Sequence, residues 1–174
     1  FELEADGVDL YKKKIRIRSI AIADPIFILS NYTGNRPELI KVADQNEKII
    51  NDPLHLRWNP EDWNVVVDEL RLKNGRFNTR KEGDPPTDNF FDGSNINFYA
   101  ITGNLKNIHL IKDSITATVS LQAKERSGLE VKKLSTDIRF HPEAMEFARL
   151  DLQTPRSSLH NFFALRYRTF TDFE

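Results

Sequence analysis

Apolar and polar residues alternate along most of this chain, and the alternation breaks repeatedly in the same way. Between Val65 and Leu72 the apolar positions are Val65, Val67, Leu70 and Leu72, two pairs at strand spacing separated by one residue too many. A β-bulge at Asp68-Glu69 accommodates that residue, keeping all four side chains on one face while it bends the strand. The same spacing is complete in Ile15, Ile17, Ile20, Ile22 and in Met145, Phe147, Leu150, Leu152. Gly103, Leu105, Ile108, Leu110 carries it with Gly in first place, and Leu129, Val131, Leu134, Thr136 carries it with Thr in last place. The copies start at irregular intervals, which predicts twisted, curved strands and not a solenoid of equal units.

Around these copies the pattern predicts further elements. Phe1 to Leu10 reads as an opening strand interrupted at Asp6-Gly7, Lys12 to Asp24 as the next, and Pro25 as the start of a return strand, PIFILSNYT. Leu39, Val42, Ala43, Ile49 and Ile50 recur at helical spacing between Pro37 and Pro53, which predicts one short helix over 37–51. Asn74-Gly75 is the strongest two-residue hairpin signal, so Val65 to Phe77 predicts a hairpin with Leu72 and Phe77 paired on one side. Gly83, Pro85, Pro86 and Asp92-Gly93 predict a long loop over 81–95. Ile96 to Leu110 reads as a broken strand, and Ile115, Ala117, Val119, Leu121 and Ala123 as the dry side of a regular one. Arg126-Ser127-Gly128, His141-Pro142-Glu143 and Thr154-Pro155 are turn signals, and His160 to Phe170 predicts a last strand with Phe163, Leu165 and Tyr167 on one side.

The expectation is a single β-rich domain over 1–174, mainly antiparallel and meandering, with a helical insertion. One short helix cannot cover so many one-sided strands. The sheet therefore either curls into a U-shaped, half-barrel-like β-groove or closes on itself as a β-sandwich.

Composition adds limits to this picture. Lys and Arg total 25 against 26 Asp and Glu, a net charge of −1, so no global field draws the protein to nucleic acid or to a membrane surface. Without Cys there are neither disulfides nor thiolate metal sites. The chain begins FELEADG, with Phe1 and no apolar leader, and the expectation is a segment of a longer protein with any anchor or export signal upstream. In KKKIRIR, alternation sets Lys14, Arg16 and Arg18 opposite Ile15 and Ile17, a wet basic face that discourages edge pairing. Trp58 and Trp63, flanking Asn59-Pro60, read as plugs of a core or of a groove end.

Covalent chemistry has no visible carrier. His55, His109, His141 and His160 match no metal-ligand spacing, and nucleophile-elbow, P-loop and dinucleotide motifs are missing. DNFFDG, from Asp88 to Gly93, resembles a calcium loop, but Phe90 stands where an oxygen ligand belongs and Tyr99 where the bidentate Glu belongs. Asn31-Tyr32-Thr33 is formally a glycosylation sequon, relevant only in a eukaryotic secretory setting. The expectation is a protein that is not an enzyme, with no metal and no cofactor.

The run VDELRLKNGRF, and later LQAKERSGLEVKKLSTDIRF followed by MEFARLDLQTPRSSL, resemble the periplasmic AsmA/TamB family, most of all the early part of a TamB-type protein. That resemblance implies an apolar β-groove in the periplasm, held to the inner membrane by a segment not in this chain. It also implies phospholipid transfer between inner and outer membranes, help in outer-membrane protein assembly, or both. The implied partners are phospholipid and an outer-membrane β-barrel assembly protein, the latter met through regions not in this chain. Carried onto these residues, the groove lining would be Ile15, Ile17, Ile20, Ile22, Val65, Val67, Leu70, Leu72, Ile115, Val119, Leu121, Leu129, Val131, Leu134, Met145, Phe147, Leu150 and Leu152. The competing reading is a β-sandwich binding or adhesion module with a dry core and no lipid cargo.

Overall fold

The computed structural model describes residues 1–31, 59–81, 83 and 90–166. The predicted helix over 37–51, Trp58 and the end of the last predicted strand lie outside them. Nine strands are described: β1 (Glu2–Asp9), β2 (Lys14–Ala23), β3 (Ile26–Asn31), β4 (Asn64–Lys81), β5 (Asn97–Ile111), β6 (Ser114–Glu125), β7 (Glu130–His141), β8 (Ala144–Gln153) and β9 (Ser158–Arg166). They form one open, curved sheet in the order β1-β2-β4-β5-β6-β7-β8-β9, with β3 beside β4 as well. Described strands touch only their ladder neighbours, so among the described residues no second sheet lies over the first as a sandwich requires. Between β4 and β5 the described residues belong to no strand, although Lys81 still completes β4.

From β4 through β9 the strands follow each other as an antiparallel meander. The connections use the expected chemistry. Gly128 takes φ 89° after β6, Pro142 and Glu143 join β7 to β8, and Thr154 caps the turn after β8 by accepting the Ser157 amide proton at 3.0 Å. At the other end of β4, buried Asn59 donates from Nδ2 to the carbonyls of Trp63 and Lys112 at 2.7 and 2.8 Å. Its backbone N–H donates to Asp113 at 2.9 Å, so this one residue fixes the start of β4 against the β5–β6 turn.

Two expectations are overturned. Pro25 does not start a return strand. β2 and β3 both run parallel to β4, each residue facing the one fifty positions later, from Lys14↔Asn64 to Asn31↔Lys81. A parallel pair needs a long crossover, and the chain between β3 and β4 supplies the length. Nor is Asn74-Gly75 a hairpin, because β4 runs through it for 18 residues. Asn74 takes φ 54° and Asp24, facing it in the same register, takes φ 55°, so the parallel neighbours bulge at one level. Asn74 Nδ2 donates to Asp24 Oδ1 at 2.6 Å, while the Asp24 and Arg76 amides donate to Lys73 and Pro25 carbonyls at 2.8 Å and carry the ladder across. This bulge, like a primed turn, holds a residue at positive φ, and the dipeptide alone does not tell the two apart.

The breaks in alternation, in contrast, fall where the ladder breaks. On β5, Asn107 at φ 51° lies in the register shift between Lys106 and His109. On β8, Arg149 at φ 51° lies in the shifts against both β7 and β9, and β7 carries its additional residue at Lys132-Lys133. Between β1 and β2 the shift involves Arg18, and the pairing of β4 with both neighbours skips Asp68. Each interruption of a copy is thus a distortion of the sheet.

Candidate functional site

Residues opposed across a ladder share a face, and following the pairs gives rows that cross the whole sheet. One row reads Val8, Ile15, Val65, Leu110, Ile115, Phe140, Met145 and Leu165, one residue from each strand from β1 to β9 except β3. The row through Ile22, Leu72, Gly103, Leu121, Leu134, Leu152 and Leu159 is equally apolar. Between them lie Ala5, Ile17, Val67 and Ile108 and, beyond the β5 bulge, Ala117, Ile138, Phe147 and Phe163. The aromatic contacts follow these rows: Phe147 meets Phe140 edge-on and Phe163 at a tilt, both with centroids 5.8 Å apart.

Of the eighteen residues assigned to a lining, seventeen lie in strands on this one face. Leu129 does not. It sits in the β6–β7 turn, where its carbonyl accepts from the Glu125 amide, because β7 begins one residue later than the alternation suggested. The face also holds residues left out of the assignment. Leu105, Ile108 and Leu110 carry the slipped spacing as plainly as their neighbours, and Leu3, Ala5 and Val8 were obscured by the acidic residues around them. Leu72 and Phe77 do share the face, but along one strand across the bulge and not across a turn.

Burial on this face falls from the centre outward. Val67, Ala117, Val119, Ala123 and Leu150 are buried, and most of the remainder is half-buried. On the flanks Val8 is 57% exposed, Leu3 51% and Leu159 49%. A dry core this thin does not cover the apolar rows that surround it.

Two positions interrupt the apolar face, and each serves the backbone. At Gly103 a Cβ would stand 2.2 Å from the Ser120 carbonyl oxygen and 2.6 Å from the Leu121 Cα, so only Gly permits this approach of β5 to β6. Buried Thr136 donates from Oγ1 to the Ala148 carbonyl at 2.9 Å, satisfying an acceptor beside the β8 bulge. At the far end Phe27, Phe77 and Phe98 form a last row, with Phe27 and Phe77 stacked at 5.7 Å. That row ends on Glu125, which is 1% exposed. Burial opposes ionisation there, but hydrogen bonds from Ser127 and from the Asn97 amide, with the Arg126 charge, outweigh it and hold the carboxyl below its ordinary value.

The opposite face is polar and paired with itself. Arg16 Nη2 donates to Asp68 at 3.2 Å and its Nε lies 3.6 Å from Asp6; Arg18 pairs with Glu4 and Asp6, and Arg149 with Asp137. Lys106 pairs with Glu69, and Lys13 with Glu61. Lys133, Gln153 and His160 surround Asp151, whose carboxyl is held below its ordinary range first by the Lys133 hydrogen bond. The basic run KKKIRIR is accordingly a solvated face with carboxylate partners. Among the described residues no cluster of His, Asp and Glu could hold a metal ion, and no helix is long and apolar enough to cross a membrane.

Comparison with family models, with curated proteins and with solved structures gives no match for this chain.

Proposed function

We propose that this chain is a section of a TamB-like periplasmic β-groove that carries phospholipid between the inner and outer membranes and in doing so serves outer-membrane protein assembly. The observation that supports this reading is the apolar face, continuous over eight strands, half-exposed over most of its area, with no described strand laid across it. A continuous apolar face rimmed by polar residues marks an interaction site, and acyl chains are the cargo that matches its chemistry.

The mechanism is solvation and needs no covalent step. Each methylene laid on the rows through Val67 and Leu121 is kept from water, worth about 0.8 kcal/mol. The rows are regular across strands, so a chain moves from one rung to the next without leaving a deep pocket. Head groups remain at the polar mouth. The bulges contribute the twist and bend that turn a flat sheet toward a trough. Contact with the barrel partner and attachment to the inner membrane belong to regions outside this chain.

Native mass spectrometry of the gently purified full-length protein tests the reading. Phospholipid is expected to leave the instrument bound to the protein, and replacing Leu121 and Leu134 together by Asp is expected to abolish that adduct. A protein that carries no lipid before substitution, with its apolar face intact, would refute the proposal.

A further inference from the structure

We infer that a depression on the polar face, between the bulges of β5 and β8, is a binding site for a neutral saccharide. β6 and β7 keep one register from Ile115↔Phe140 to Leu121↔Leu134, while β5 carries an additional residue at Asn107 and β8 one at Arg149. Bulges bend the strands that carry them, so the regular pair lies as a floor between two bent strands. Short side chains, Thr116, Thr118 and Ala148, line that floor, and the volume over it is about 430 Å³. Small-molecule sites occupy roughly 300–1,000 Å³, and this one falls among them.

The surrounding residues carry the chemistry. One row across the ladder reads His109, Thr116, Arg139, Glu146 and Ala164, which sets these side chains on the same face. Among the described residues the side chains of His109, Arg139 and Glu146 enter no hydrogen bond or ion pair, and all three line the depression. Elsewhere on this face Arg16, Lys106 and Lys133 are each taken up by a carboxylate. Asp137, also in the lining, is held in place, since Thr118 Oγ1 donates to its Oδ1 at 2.8 Å and Arg149 pairs with it. Phe162 closes the side toward β9. Phe163 faces Phe147 among the apolar rows, so alternation turns Phe162 to the polar face, where it is 61% exposed. A single exposed aromatic is ordinary on a protein surface. This one stands beside donors and acceptors that the fold does not use.

A sugar matches that set. Its hydroxyls both donate and accept, as guanidinium, carboxylate, imidazole and threonine hydroxyl ask of a partner, and the C–H side of its ring rests on an aromatic face. Charge selects a neutral ligand, because Arg139 offsets Glu146 and Arg149 offsets Asp137. The site is on the face opposite the apolar rows and does not depend on the groove reading.

Saturation-transfer difference NMR on the full-length protein tests it, with maltotriose, cellotriose and the trimer of N-acetylglucosamine as probes and free phenylalanine as a zwitterionic control. At least one trisaccharide is expected to bind with a dissociation constant on the order of 1 mM, since an open depression covers one side of the ligand only. Phe162→Ala is expected to weaken that binding about tenfold and Glu146→Gln about threefold. Ser120→Ala, on the same face outside the depression, is expected to change it less than twofold. No transfer to any of the three sugars at about 10 mM would overturn the site, and so would binding that Phe162→Ala leaves unchanged. Binding of phenylalanine in place of the sugars would overturn the ligand class, because Arg139 and Glu146 would then be the two ends of a zwitterion site. Far-ultraviolet circular dichroism of each variant confirms that the sheet is unchanged.

Discussion

The same strands present two faces that are built on opposite terms. On the polar face, charges from neighbouring strands meet: Arg16 with Asp68, Lys106 with Glu69, Lys133 with Asp151. Charges from neighbouring strands are the partners on that face. On the other face Val67, Val119 and Leu150 are dry, while Leu3, Val8, Leu159 and Leu165, on the flanking strands, are between 43% and 57% exposed. The contrast teaches that the sheet holds itself together through ladders, bulges and a thin central strip, and leaves the wings of its apolar face available. Ion pairs on the wet face contribute little to stability, since exposed pairs are worth between zero and about 1 kcal/mol.

That contrast is open to attack, and the sharpest attack is a charge at the dry centre. Val119→Asp puts a carboxylate among Leu105, Thr136 and their neighbours at a site 5% exposed, and urea unfolding should show a loss of about 3–5 kcal/mol. Ser120→Asp, one residue away on the wet face, should move the midpoint hardly at all. Equal effects would erase the distinction between the faces.

Gly103→Ala comes next. Its Cβ would meet the Ser120 carbonyl oxygen at 2.2 Å, and the backbone shift that follows should cost about 1–3 kcal/mol in the same assay. Thr136→Val removes the donor to the Ala148 carbonyl without changing the shape of the side chain, and a loss of about 1–2 kcal/mol is expected. A smaller loss there would mean that the β8 bulge does not depend on this hydroxyl.

Glu125 gives a pH signature. Its carboxyl is lowered from the ordinary value of 4.5, so ionisation favours the folded state. The stabilisation is fully present above pH 4.5 and is lost as the pH falls through the lowered folded value. Urea midpoints of the native protein and of Glu125→Gln should differ most above pH 4.5 and draw together as the pH falls. Smallest of all is Arg16→Gln on the wet face, where thermal unfolding should register a shift below any of those above.

Much of this was legible in the residues themselves. The five interruptions of alternation each mark a distortion of the ladder, because a strand with one buried face cannot carry an additional residue without bulging. The partners of β4 were not legible. Two strands that pair in parallel fifty residues apart leave no local signal, and Asn74-Gly75 satisfies the demands of a bulge as well as those of a turn. Leu129 was drawn into the face by extending the alternation back across Gly128, whose φ of 89° ends the strand geometry there.

Photo-crosslinking in living cells puts the central claim to its most direct test, with the reactive group placed at Leu121 on the apolar face and, in a second strain, at Ser120 on the polar face. The account predicts a phospholipid adduct from Leu121 and none from Ser120. Adducts from neither position, or from both equally, would contradict it.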